Sequence, residues 1–131
     1  MNSLTQTQRD HLRQLASTLL PGSDSQPAAA DIGIETAAID RALKSRPDLF
    51  TGFCDILDRF HGDPATFLGQ LDDQDYDILA TLVCAAWVMD ETVQKALGYF
   101  GQQALSPHRG GFGCEELVMD MLEQEKRYRD A

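Results

Sequence analysis

Apolar residues recur at intervals of three and four along most of this chain, the periodicity of amphipathic helices, and no stretch alternates apolar and polar residues as a half-buried strand does. We therefore expect an all-α fold, a single compact helical bundle of five to seven helices over residues 1–131. The pattern predicts helices over residues 5–20, 36–45, 48–61, 74–89 and 114–128, with short helices opening at Pro64 and Asp90.

Several predicted helix ends carry capping signals. Asp63-Pro64 is typical of an N-cap followed by proline at the first helical position. Asp72 and Asp73 are candidate caps for the helix over 74–89, and with Asp75 they suit the positive end of its dipole. Capping explains this acidic cluster better than calcium binding, because the ligand spacing of a calcium loop is absent. We predict no metal site in the chain.

The helix over residues 74–89 becomes apolar on nearly every face in its second half, from Leu82 to Met89. A helix that is apolar all round is normally buried on all sides. We therefore expect it to be the central helix of the bundle. The alternative is that another subunit covers one of its faces.

A long glycine-punctuated segment with aromatic residues separates residue 98 from the predicted C-terminal helix. It opens with Gly98-Tyr99-Phe100-Gly101 and continues to Gly113. Its glycine-rich part, 108–113, lacks the Lys-Ser/Thr ending and the preceding strand of a phosphate-binding loop. Long loops in compact domains are usually functional or disordered. Its aromatic residues favour a loop that presents a surface.

Composition narrows the possible partners. The 21 Asp and Glu against 11 Lys and Arg give a net charge of −10, which argues against nucleic acid and anionic membrane surfaces. No apolar run is long enough for membrane insertion. The first residues show no signal peptide, so we expect a cytoplasmic protein, or a periplasmic one whose export signal has been removed.

Recognisable catalytic motifs are missing from the sequence. There is no nucleophile elbow and no dinucleotide fingerprint, so we expect no catalytic residue and no bound cofactor in this chain. Cys114 and His108 are close in sequence and could form a nucleophilic pair, which is the alternative of a small enzyme. Cys54, Cys84 and Cys114 form no C-x-x-C pair; we expect free thiols, with one disulfide left open.

Three stretches in order resemble the family named for subunit 3 of gluconate 2-dehydrogenase. They are the helix end Leu15–Gly22, the segment Pro27–Leu43 with Ile39-Asp40-Arg41-Ala42-Leu43, and the turn Val93–Gly101. The family pattern often has glycine where Ala28 stands and usually proline where Phe100 stands. The twin-arginine signal that is common in the family is absent.

The resemblance implies a non-catalytic small subunit that accompanies a large FAD-dependent dehydrogenase of the glucose-methanol-choline type. That subunit would bind the FAD and oxidise a sugar or a glucoside, including at C3 of glucosides, and a cytochrome c subunit is a further candidate partner. No activity is expected of this chain alone. The alternative is a stand-alone helical module with a chaperone-like or regulatory binding role.

Aromatic residues and arginine are enriched at the energetic centres of protein interfaces. The residues we predict at the partner interface are Trp87, Tyr99, Phe100, His108, Arg109 and Phe112. For each of them the alternative is packing within the domain, and this alternative is strongest for Trp87, which belongs to the apolar helix.

Overall fold

Six α-helices and no β-strand make up the secondary structure in the computed structural model, which describes residues 2–104 and 119. This confirms the predicted all-α bundle. The helices are α1 (Gln6–Leu19), α2 (Ile39–Ser45), α3 (Phe50–Arg59), α4 (Pro64–Gln70), α5 (Asp73–Val88) and α6 (Glu91–Ala96). Residues 1–100 form one compact unit. The glycine-rich loop from residue 105 and the predicted C-terminal helix lie outside the described residues, so the single domain over 1–131 stays a prediction.

The predicted capping residues occupy the N-cap positions of their helices. Asp63 and Asp72 are the N-caps of α4 and α5, and their carboxylates accept from the backbone N–H of Thr66 (3.0 Å) and Asp75 (2.7 Å). At the start of α1, Thr5 and Gln8 form a reciprocal capping box. The Gln8 side chain also donates to Asp58 Oδ1 at 3.0 Å, which ties α1 to α3.

The start of the second predicted helix differs from the sequence pattern. Residues Ile34–Ala38 form a π-type turn in which Thr36 leaves helical geometry (φ −104°, ψ −125°), and regular α-helix begins at Ile39. Arg9 of α1 explains part of this distortion, because its guanidinium donates to the carbonyl of Glu35 at 2.6 Å and pairs with Asp40 at 3.0 Å. A tertiary contact therefore overrides the local helical pattern.

The core lies between α1, α2, α3 and α5, and most apolar residues that the periodicity assigned to helix faces are in it. Phe53 of α3 is fully buried, and Phe60 makes edge-to-face contacts with His11 and Phe67, with ring centroids 5.2 Å apart in each pair. The fully buried large side chains are Leu12, Leu15, Ile34, Ile39, Phe53, Ile56, Leu57, Leu79, Leu82, Val83 and Val93.

Helix α5 is buried on one side. Its core face consists of Leu79, Leu82, Val83 and Ala86. Cys84 and Val88 are exposed, and so are Tyr76 and Met89. The expectation that this helix is buried on every side is therefore wrong within the described residues. The helix is apolar beyond its core face, as the pattern indicates, and these additional apolar side chains are exposed.

Candidate interaction surface

Five large apolar side chains are exposed within thirteen consecutive residues, two at the end of α5 and three directly after α6. We call this group the α5–α6 apolar surface. Single exposed apolar residues are common on proteins, but clusters of them often mark interaction sites. The exposed fractions are 44% for Val88, 37% for Met89, 47% for Leu97, 52% for Tyr99 and 72% for Phe100.

The junction of α5 and α6 fixes the position of this surface. Asp90 caps α6, with Oδ1 accepting from the backbone N–H of Thr92 (2.8 Å) and Val93 (3.2 Å). Val93 is fully buried and anchors α6. The side chain of Gln94 donates to the carbonyl of Val88 at 3.0 Å, which joins α6 back to the end of α5.

A glycine turn places the two aromatic residues. Gly98 has φ +76°, a left-handed conformation that L-residues rarely adopt. The backbone N–H of Gly98 donates to the carbonyl of Lys95 (3.1 Å), and that of Tyr99 donates to Gln94 (2.8 Å). Open space surrounds the Cα of Gly98, so the turn requires glycine for its backbone angle rather than for room. Tyr99 and Phe100 follow this turn and are exposed.

Trp87 has a different environment from the two loop aromatics. It is partly buried against the core, and its indole Nε1 donates to the carbonyl of Pro27 at 3.0 Å. The other residues predicted at the interface, His108, Arg109 and Phe112, lie outside the described residues. An interface role for all six residues stays a prediction. Val88 and Met89 belong to the apolar half of the helix over 74–89, whereas Leu97 is a member of the surface that the sequence pattern did not single out.

The next question is whether the described residues could form a metal site or a nucleophilic site. Among them, no group of three or more His, Cys, Asp or Glu side chains is placed to hold a metal ion. Burial, and then the charges of Asp58 and Asp55, raise the pKa of the Cys54 thiol above its usual value. A raised pKa favours the neutral thiol, which is a poor nucleophile. Cys54 therefore has the properties of a structural cysteine.

Open hollows also lie elsewhere on the described unit, and two of them are wide enough to consider. The larger, of about 670 Å³, is lined by Asn2 and by residues of α2, α3 and the connection between them, including Lys44 and Phe50. The second, of about 420 Å³, holds Asp55 and Asp58 beside the ion pair of Arg59 with Asp75. Neither hollow brings a nucleophile together with a base, so we place the candidate site at the α5–α6 apolar surface.

Comparisons with protein-family models, with curated proteins and with solved structures found no match to this chain. The fold and the site therefore define its class in structural terms, as an all-α domain with exposed apolar side chains at the end of α5 and after α6. None of the helices in the described part combines the length and the hydropathy needed to cross a membrane.

Proposed function

We propose that this chain is a non-catalytic small subunit that binds and stabilises the FAD-dependent catalytic subunit of a sugar or glucoside dehydrogenase. The observation that carries the proposal is the exposure of Tyr99 and Phe100, at 52% and 72%. They belong to the same Val93–Gly101 segment that resembles the subunit 3 family of gluconate 2-dehydrogenase. An exposed pair of aromatic rings suits the centre of a protein interface.

The proposed role needs no active site in this chain. The FAD, the catalytic base and the hydride transfer belong to the large subunit, whose folded form this chain binds. Binding to the folded state alone stabilises it, by about 2.7 kcal/mol when the free small subunit is at 100 times its Kd. The large subunit without this chain is then less stable and holds less FAD.

The α5–α6 apolar surface supports this role through its position. It is held by the buried Val93 and by the hydrogen bond from Gln94 to Val88, so its side chains are presented on an ordered support. Preorganisation of this kind lowers the entropy lost on binding. The same surface would also serve a stand-alone chaperone-like or regulatory module, which is the second candidate function.

Co-expression separates these two functions. The chain is produced together with the polypeptide encoded by the neighbouring reading frame, and the tagged small chain is purified. The proposal predicts a stable, yellow, flavin-containing complex that oxidises sugars. A small chain that purifies alone, with the neighbouring polypeptide folded and active without it, would contradict the proposal and favour the stand-alone module.

A further inference from the structure

Charge is unevenly distributed along the described unit. Residues 1–59 contain eight Asp and Glu and six Lys and Arg, whereas residues 60–100 contain seven Asp and Glu and a single Lys. The part of the chain that forms α4, α5 and α6 is therefore strongly acidic. This is also the part that carries the α5–α6 apolar surface. An uneven charge distribution of this kind affects which partners can approach.

The ion pairs within the described residues leave most of this negative charge uncompensated. Three of the four pairs join residues of the first region, and the fourth joins Arg59 to Asp75. Asp63, Asp72 and Asp90 accept backbone N–H groups as caps. Three further acids have exposed side chains that make no hydrogen bond or ion pair within the described part of the chain: Asp73, Asp77 and Glu91. The pKa of the Arg46 guanidinium is raised, first by its hydrogen bond with Asp48 and to a smaller extent by the charge of Asp77, which lies near it.

These three acids lie on the two helices that carry the apolar surface, Asp73 and Asp77 on α5 and Glu91 on α6. Asp77 lies on the same stripe of α5 as Cys84 and Val88, seven and eleven residues further on. With a rise of 1.5 Å per residue, Asp77 and Val88 are about 16 Å apart along the helix axis. Glu91 lies at the other end, two residues after Met89 and in the first turn of α6. Carboxylates thus lie along the exposed stripe of α5 that leads to the apolar surface, and one more lies at the start of α6.

We infer that the α5–α6 apolar surface binds a partner protein. The binding site on that partner has an apolar centre, and its Lys and Arg side chains face Asp73, Asp77 and Glu91. The inference rests on the proposed function, which makes the FAD-binding subunit the partner. A second copy of this chain is a poor occupant, because it would bring the same acids and its own charge of −10.

This arrangement gives the acidic side chains and the apolar side chains different roles in binding. Opposite charges accelerate encounter, by ten- to a thousandfold in electrostatically steered pairs, and salt weakens the effect. Apolar contacts at the centre are insensitive to screening and control dissociation. We therefore expect the association rate to depend on ionic strength through the acids, and the dissociation rate to depend on the apolar side chains.

The test measures association and dissociation rates of the purified chain with the FAD-binding polypeptide of the neighbouring reading frame. Ionic strengths of about 0.01, 0.1 and 1 M are used, where the Debye length is about 30, 10 and 3 Å. The test variant is Asp77→Asn with Glu91→Gln. The control is Asp10→Asn with Asp24→Asn, which removes the same charge from exposed positions in the first region.

We expect the wild-type association rate to fall at least about tenfold across this salt range. The test variant should associate several times more slowly at low salt and lose much of the salt dependence, with little change in dissociation, while the control behaves like wild type. A complex with salt-independent rates, equal for both variants, overturns the inference and leaves the proposed function standing. No complex at any salt, or self-association through this surface instead, overturns both.

Discussion

The indole Nε1 of Trp87 donates a hydrogen bond to the main-chain carbonyl of Pro27, 60 residues away in sequence, at 3.0 Å. This bond fastens the connection between α1 and α2 to the end of α5. The connection is further held by the backbone N–H of Ala29, which donates to Leu20 at 3.0 Å. A segment of small residues that would otherwise be a loose loop is therefore part of the packed structure.

Trp87→Phe should destabilise the protein by about 1 kcal/mol, because it keeps an aromatic ring but removes the donor to Pro27. Urea unfolding followed by far-UV circular dichroism measures this change. Tyr99→Phe is the matched control, since it also removes one polar hydrogen but from an exposed side chain that makes no hydrogen bond within the described residues. Equal stability of both variants and wild type would show that the indole bond contributes nothing.

Gly22→Ala should destabilise the protein more than Gly62→Ala. Both glycines have positive φ, +82° and +76°, so both variants lose about 1 kcal/mol from backbone strain. A Cβ on Gly22 would also lie 2.7 Å from the backbone nitrogen of Ala28, whereas Gly62 has open space around it. The collision should add at least about 1 kcal/mol. Thermal unfolding of the two variants measures this difference. Equal losses of stability would contradict the close approach of Gly22 to Ala28.

Removal of the Asp63 carboxylate should destabilise the protein at neutral pH and have little effect in strong acid. The hydrogen bonds from the backbone N–H and the side chain of Thr66 hold the pKa of Asp63 below its usual value. A carboxyl with a lowered folded-state pKa stabilises the protein above its unfolded-state pKa of about 3.9. That contribution is lost as the pH falls through the lower folded-state pKa.

The measurement is the free energy of unfolding of wild type, Asp63→Ala and Asp63→Asn as the pH is lowered from neutral. The difference between wild type and Asp63→Ala should shrink in acid. Asn also caps helices but does not titrate, so Asp63→Asn should show a difference from Asp63→Ala that persists in acid. A wild-type difference that stays constant with pH would refute a titrating cap.

Phe53→Ala should destabilise the protein strongly and Phe100→Ala hardly at all, although the chemical change is the same. Phe53 is fully buried and Phe100 is 72% exposed. Truncation of a buried Phe costs about 3–5 kcal/mol, whereas exposed substitutions usually change stability by less than about 0.5 kcal/mol. Denaturant midpoints of the two variants provide the check. A large loss for Phe100→Ala would mean that its ring packs within the folded chain.

Much of the fold could be predicted from the sequence because local signals and apolar periodicity agree. The caps at Asp63 and Asp72 and the buried face around Phe53 follow from such signals. The π-type turn at Thr36 could not be predicted, because Arg9 makes its contact there from another helix. For α5 the pattern allows two alternatives, a helix buried on all sides and a helix with one face left for another subunit, and it cannot choose between them. The sequence shows that a helix is apolar on every face, but it does not show whether the other helices of the chain cover all of those faces.

The candidate site was predicted in part. Tyr99 and Phe100 were singled out because they lie between two glycines, and both are exposed in the structure. Val88 and Met89 belong to the predicted helix that is apolar on nearly every face, whereas Leu97 carries no signal of its own, since an apolar residue next to a short helix is most simply interpreted as core. Their exposure depends on how α6 turns after Asp90, which is a property of the folded chain.

The most direct test is the binding of the Tyr99→Ala, Phe100→Ala double variant to the FAD-binding polypeptide encoded by the neighbouring reading frame. Loss of two exposed aromatic anchors should weaken binding by about 2 kcal/mol or more, which raises the Kd roughly thirtyfold. The helicity of the isolated chain should be unchanged. A complex that forms with wild-type affinity, with flavin content and sugar oxidation unaltered, would contradict a docking role for the α5–α6 apolar surface.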